Sequence, residues 1–312
     1  MVLGFTAAIC YTISNMCLRD AGRRLDLPWA FWLTAHKALP ATCVAWTLVL
    51  LRAAKGLPAW PPARVIPRLL MTAVIMQVGG NFLFQIALSR GGLALTVPLV
   101  FASIILTGAL LGRFVLSEPV QGRTLISMGL VISAVVLLNF GAEAATLSVL
   151  GSSSPGTVFL ACLAACASGF SYGFGGVMIR RTLREGVPVP ATLIIISTTG
   201  LIGMGLAGGF GLGYEVIRSV PLKTELTMLG SGIFNAIAFF SIGGALQRLP
   251  VVRVNLINAS QAAMAAAAGV LVFQEPPTVT LIFGTALTAL GLIVLGTEPK
   301  KKSLPEVAQD RA

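Results

Sequence analysis

Ten runs of about twenty mostly apolar residues follow one another along this 312-residue chain, and they constrain its fold more than any other feature. A helix needs about 20 apolar residues to cross the hydrocarbon core of a bilayer. Charged residues make up only 11% of the chain, whereas a soluble domain carries about 25%. The sequence therefore predicts an all-α polytopic membrane protein, with spans at approximately 2–18, 29–51, 67–88, 93–116, 120–140, 156–179, 191–212, 225–246, 251–273 and 277–296.

Lysine and arginine residues are unevenly divided between the connections of these spans. If the N-terminus is cytoplasmic, 15 of the 22 lie on the cytoplasmic side and 6 on the other, while Lys37 falls within a span. Because cytoplasmic loops are enriched in basic residues, this bias predicts that both termini are cytoplasmic. We interpret the net charge of +11 as a determinant of orientation in the cytoplasmic membrane and not as a nucleic-acid-binding surface.

Two similar segments lie half a chain apart. Ala-Leu-Ser-Arg at 87–90 begins an apolar run that ends in Glu118-Pro119, and Ala-Leu-Gln-Arg at 245–248 begins one that ends in Glu275-Pro276. The two glutamates are 157 residues apart, and duplication of a multi-span unit is common in secondary transporters. With five spans in each half, an odd number, the second half is expected to be inverted relative to the first.

The duplication and the connections together predict the domain organisation. Residues 1–140 form the first five-helix repeat and residues 156–296 the second. A Gly- and Ser-containing linker, 141–155, joins them, and residues 297–312 form a polar cytoplasmic tail.

These features resemble the drug/metabolite transporter (DMT) superfamily, and within it the ten-helix EamA-type permeases. The resemblance is carried by Ala245-Leu246, Glu275, Gly284 and Gly291, with a weaker first copy at Ala87-Leu88 and Glu118. The chain departs from the common family pattern at Ile104 and Gln261, where prolines often stand, and at Lys37, where an arginine often does. Over residues 2–296 the resemblance implies small-molecule transport, often export, across the cytoplasmic membrane.

Amide side chains recur along the third and ninth predicted spans. Gln77, Asn81 and Gln85 are four residues apart and therefore share one face of a helix, while Asn255, Asn258 and Gln261 form a broader arc. Polar side chains in hydrocarbon cost free energy unless they face a cavity or a partner. We expect Asn81, Gln85, Asn258 and Gln261 to bind substrate in a shared cavity; the alternative is that these amides hold neighbouring helices together.

Lys37 is the only lysine or arginine well inside a predicted span. It can receive an anionic group of the substrate, or it can extend its ammonium group to the headgroup region. Tyr11 and Asn15 in the first span, and Tyr172 in the equivalent sixth span, are further candidates for substrate binding.

Glu118 and Glu275 each precede a proline that opens the next predicted helix. A carboxylate in that position satisfies free N–H groups and the positive end of the helix dipole. We therefore predict that both glutamates are structural helix caps and not proton carriers.

These observations favour a secondary transporter that works as an exporter, facilitator or exchanger by alternating access. Its expected substrate is a small polar or anionic metabolite such as an amino acid, and a homodimer is possible. An intramembrane enzyme would need paired acids, a nucleophile with its base or metal ligands within the spans, and none is predicted, nor is a cofactor. A non-transporting scaffold or receptor would be expected to carry a soluble module or a long tail.

Overall fold

The structure of the protein, a computed structural model, describes residues 1–22, 26–139, 154–274 and 279–296. These residues form helices and their connections, and no strand occurs among them. The helices are α1 (Val2–Ala21), α2 (Leu27–Ala54), α3 (Ile66–Val74), α4 (Leu83–Leu116), α5 (Gly122–Asn139), α6 (Pro155–Arg184), α7 (Val189–Leu212), α8 (Tyr214–Arg218), α9 (Leu222–Arg248), α10 (Val251–Asn258), α11 (Ser260–Leu271) and α12 (Val279–Gly296).

Eight stretches of helix are long and apolar enough to cross a membrane. The fifth and tenth predicted spans correspond to α5 and α12, whose apolar stretches in the described residues are shorter, Gly122–Ala134 and Ile282–Gly291. The chain is thus a helical, multi-pass membrane protein, as predicted, and the count of ten spans stays a prediction. So do the domain boundaries, because residues 140–153 and the tail 297–312 lie outside the described residues.

Helix starts follow local sequence signals. The Asp26 side chain accepts a hydrogen bond from the Trp29 N–H at 2.8 Å, and Pro28 occupies the first turn of α2. In the same way, Ser154 accepts from the Thr157 N–H at 3.2 Å and Pro155 begins α6. Both patterns stabilise a helix N-terminus, because the cap satisfies an unpaired N–H and proline lacks one.

The helical stretch that contains spans three and four is irregular at two places. A π-helical segment, Ile75–Phe82, connects α3 to α4 and carries Gln77 and Asn81. Within α4 the helix breaks at Gly92, whose φ of 67° and ψ of −178° are accessible mainly to glycine. Single π-helical turns are rare and often occur at functional sites. This one lies beside the cavity described below.

Helices of the two halves pack in reciprocal pairs. α1 packs on α9, and its predicted equivalent α6 packs on the π-helical segment. α1 also packs on α11, as α6 does on α4, while α2 pairs with α7 and α5 with α12. Two repeats related by a twofold axis would produce this reciprocity.

Two residues with unusual backbone angles mark equivalent points of the halves. Among described residues other than glycine, only Ser117 (φ 52°) and Gln274 (φ 58°) have positive φ. They are 157 residues apart, the same shift that separates the two Glu-Pro motifs they precede. Positive φ is uncommon outside glycine, so the shared conformation supports the internal duplication.

Small residues allow close contact between helices. Ser127 of α5 donates a hydrogen bond to the carbonyl oxygen of Gly291 in α12 at 2.7 Å. In α6, a Cβ atom at Gly169 would overlap the carbonyl oxygen of Val100 and the side chain of Ser103. Small residues at such contacts are typical of helix interfaces in lipid.

Replacing Gly169 with alanine is therefore expected to destabilise the protein by about 1–3 kcal/mol, because α4 and α6 must move apart. Gly203→Ala is the matched control, since a Cβ atom there meets nothing within 4 Å. The unfolding midpoint in an SDS titration should fall for the first variant and not for the second. Equal midpoints would show that the α4–α6 contact tolerates a methyl group.

Candidate functional site

A cavity of about 130 Å³ lies inside the bundle and is lined by helices from both halves. Its lining is mostly apolar, with phenylalanines at 84, 101 and 239. The polar residues on its wall are Tyr11, Asn15, Thr34, Lys37, Gln77, Asn81, Tyr172, Ser197, Asn235, Asn255, Asn258 and Gln261. An apolar pocket with a few convergent polar groups is the usual form of a small-molecule site.

Seven of the eight residues predicted to bind substrate line this cavity: Tyr11, Asn15, Lys37, Asn81, Tyr172, Asn258 and Gln261. Gln85 is also buried, but it is not part of the lining, and its amide lies beside Gly22 at the end of α1. The spacing of four residues from Asn81 does not keep Gln85 on the cavity face, because the helix changes from π to α geometry at Leu83.

Lys37 is held in the cavity wall by neutral groups. Lys37 is only 8% exposed, and its Nζ donates a hydrogen bond to Asn81 Oδ1 at 2.8 Å. The ammonium group also lies 5.5 Å from the ring centre of Phe84 and 6.0 Å from that of Tyr172. Aromatic faces stabilise a cation at these distances. No aspartate or glutamate occurs among the described residues that line the cavity.

Asn81 is the centre of a hydrogen-bond chain. Its Oδ1 accepts from Lys37 and, at 2.6 Å, from the Tyr172 hydroxyl. Its Nδ2 donates to Gln77 Oε1 at 2.8 Å, and Gln77 Nε2 donates to the Ile196 carbonyl at 2.9 Å. Because both lone-pair positions of Oδ1 are occupied, Asn81 orients Lys37 in this conformation and offers substrate little hydrogen-bonding capacity of its own.

A second polar cluster faces the cavity from α1, α10 and α11. Gln261 Nε2 donates to Asn258 Oδ1 at 2.7 Å, and Asn15 Nδ2 approaches Gln261 Oε1 at 3.5 Å. Asn258 Nδ2 and Asn15 Oδ1 are not used in these bonds, so the cluster retains the N–H donors of Asn258 and the oxygen acceptor of Asn15. The Tyr11 hydroxyl has no hydrogen-bond partner among the described residues. The cluster can therefore bind a neutral polar group.

Other polar residues of the lining were not predicted as site residues. Asn235 of α9 donates to the Lys37 carbonyl at 3.1 Å, and Asn255 donates to the Ile104 carbonyl at 3.3 Å. Asn235 is an isolated amide in an apolar run, so the rule that identified Asn81 could have found it. Thr34 and Ser197 give no such signal, since short hydroxyl side chains are common in membrane helices.

Glu118 stabilises a different helix from the one predicted. Its Oε2 accepts from the N–H of Val251, the first residue of α10, at 2.9 Å. Its Oε1 lies 3.0 Å from Arg180 Nε and 3.0 Å from an Arg184 nitrogen. The following helix begins only at Gly122, and Ser117, in its left-handed conformation, turns the chain out of α4. The cap prediction is therefore corrected from α5 to α10; Glu275 lies outside the described residues.

The other described ion pairs also lie away from the cavity lining. Arg68 binds the Glu185 carboxylate at 2.8 and 2.7 Å, and this hydrogen bonding lowers the pKa of Glu185. His36 Nε2 lies 3.3 Å from a Glu225 oxygen. Within the described residues, no group of three or more His, Cys, Asp or Glu is arranged to hold a metal ion.

The second half of the chain is similar to a known protein family. Residues 159–297 match the model of the EamA-like transporter family. A search of curated proteins finds no match. Among solved structures, one described only as "Crystal structure of protein" aligns with a TM-score of 0.65 at 20% identity, over 94% of this chain and 95% of that chain. At this identity the structural match shows that the fold is shared over nearly the whole chain.

The family match covers the three helices of the second half that carry amides of the cavity lining, α9, α10 and α11, together with Tyr172 and Arg180. EamA domains belong to membrane transporters of the drug/metabolite type. The chain is accordingly a multi-pass membrane protein that carries, over residues 159–297, an EamA-like transporter domain of the drug/metabolite transporter superfamily.

Proposed function

We propose that this protein is a secondary transporter of a small polar or anionic metabolite. In this proposal two five-helix repeats, inverted relative to each other, expose the central cavity alternately to the two sides of the cytoplasmic membrane. Both termini are cytoplasmic, and the protein acts as an exporter, facilitator or exchanger.

The observation that carries this proposal is the position of polar side chains inside an apolar bundle. Lys37, Asn81 and Asn258 are directed into a cavity that helices of both halves line. An ionisable side chain within a membrane span is costly and usually marks a pathway for substrate or ions. A cavity formed at the interface between repeats is the usual substrate site of transporters built from duplicated units.

The Glu118 geometry supports a transport cycle without a glutamate proton carrier at this position. Its carboxylate accepts an N–H and pairs with two arginines, and it is not part of the cavity lining. Its negative charge is therefore engaged in joining helices.

Filling the cavity tests the proposal. Ala41 of α2 lines the cavity and is 1% exposed, whereas Val44, three residues later, is 41% exposed on the outer surface. In proteoliposomes, Ala41→Trp should lower counterflow of any transported solute at least tenfold, because the indole occupies the space that the solute needs. Val44→Trp should leave transport unchanged.

Size-exclusion profiles of the purified variants control for misfolding, and Ala41→Leu provides a milder block if the tryptophan variant does not fold. Flux that is the same in wild type and in a folded Ala41 variant would contradict the proposal, because the solute would then bypass the cavity.

A further inference from the structure

The charges of the cavity lining determine which charge its ligand should carry. Lys37 contributes one positive charge, and no carboxylate occurs among the described lining residues. Glu118, Glu185 and Glu225 contact arginine or histidine away from this lining. The Lys37 ammonium group has three N–H donors, of which Asn81 accepts one, so two remain for a ligand.

We infer that the substrate is a monocarboxylate that carries one net negative charge and no ammonium group. This inference rests on the proposed function and specifies the chemical class of its substrate. The carboxylate binds Lys37, which neutralises the cavity. A charge that is buried without a partner is strongly unfavourable, and a counter-ion that pairs with it in good geometry offsets much of that penalty.

The same charge count disfavours amino acids. An α-ammonium group adjacent to the bound carboxylate would lie close to Lys37, and like charges in a site of low dielectric repel each other. Among the described lining residues, this ammonium group meets amide and hydroxyl oxygens and aromatic faces, and no carboxylate. A dicarboxylate or a phosphate monoester, in contrast, would bring a second negative charge that Lys37 alone does not balance.

The rest of the cavity fits a hydroxyl or carbonyl group and a short apolar chain. Asn258 retains a donor and Asn15 an acceptor, so their cluster can bind a hydroxyl group from both sides. Phe101 and Phe239 provide apolar surface. The volume of about 130 Å³ is below the 300–1,000 Å³ or so of pockets for drug-sized ligands. We therefore expect a small monocarboxylate that carries a hydroxyl or oxo group.

Matched pairs of solutes test this inference, because they differ only in the group at carbon 2. The pairs are lactate with alanine, and 2-hydroxy-4-methylpentanoate with leucine. Uptake of each labelled solute is measured in proteoliposomes under counterflow, and each unlabelled partner is used as a competitor. For at least one pair, the uptake rate of the hydroxy acid should be tenfold or more higher than that of its amino acid. The same hydroxy acid should also be the stronger competitor by tenfold or more. Its uncharged methyl ester and malate should compete weakly.

Lys37→Arg and Lys37→Gln connect this selectivity to the charge. The arginine variant should keep the preference for the hydroxy acid, and the folded glutamine variant should lose it. Transport of amino acids at the same rate as the hydroxy acids would overturn the inference and leave the proposed function intact. A preference for the hydroxy acids that survives Lys37→Gln would do the same. So would flux of other solutes without any of the hydroxy acids. Absence of flux for every solute, with no effect of Ala41→Trp, would overturn both.

Discussion

Replacing Glu118 with glutamine is expected to lower the free energy of unfolding by about 3–5 kcal/mol, the usual effect of removing one partner from a buried ion pair. Glu118 and Arg180 are 4% and 7% exposed, so water cannot replace the lost carboxylate. The substitution leaves the guanidinium group of Arg180 buried without a counter-charge. It also weakens the acceptor for the Val251 N–H at the start of α10. An SDS titration of the purified protein measures the change.

Glu185→Gln is the matched control for Glu118→Gln. Glu185 also pairs with an arginine, in its case through both carboxylate oxygens, but its side chain is 31% exposed. Exposed ion pairs contribute only about 0–1 kcal/mol. The double substitution Glu118→Gln with Arg180→Gln should recover part of the lost stability, because it removes the unpaired charge. Equal small effects of Glu118→Gln and Glu185→Gln would contradict our description of a buried structural pair.

Lys37→Gln should have opposite effects on stability and on transport. The variant removes a buried charge that has no acid partner among the described lining residues, and the glutamine amide can still donate to Asn81. The unfolding midpoint should therefore rise. Transport of an anionic substrate should fall, because a hydrogen bond to a charged group contributes about 1.5–3 kcal/mol, which corresponds to roughly 10- to 100-fold in affinity.

The two Lys37 measurements are independent of each other. Thermal unfolding in detergent gives the midpoint, and counterflow of a labelled anion in proteoliposomes gives the transport rate. Lys37→Arg controls for charge and should retain most of the transport. A folded Lys37→Gln protein with undiminished transport would exclude Lys37 from the substrate site, whatever its effect on stability.

The sequence predicted the helical, multi-pass architecture because membrane helices need long apolar runs, and these are visible without tertiary information. It also brought most of the cavity residues together by one rule, that a polar side chain in hydrocarbon faces a cavity or a partner. Asn81 and Lys37, which are 44 residues apart, share a hydrogen bond in the structure. The rule could not distinguish an amide that binds substrate from one that orients Lys37, because that depends on which donors converge on its oxygen.

The structure differs from the sequence prediction at two residues, in one case because of local geometry and in the other because of a long-range contact. Gln85 was placed with Asn81 by α-helical periodicity, and no sequence pattern revealed the π-helical segment that ends between them. The cap role of Glu118 was assigned to the nearest helix in sequence, whereas its partner Val251 is 133 residues further along the chain. Contacts over such distances depend on how the two halves pack, which local patterns do not contain.

The break at Gly92 limits how the protein can open. A single residue with a left-handed φ separates the third span from the fourth, and consecutive Cα atoms are only about 3.8 Å apart. The ends of these two spans are thus tethered, and a gap between them at that side of the bilayer cannot widen. Any portal to the cavity on that side has to form between other helices.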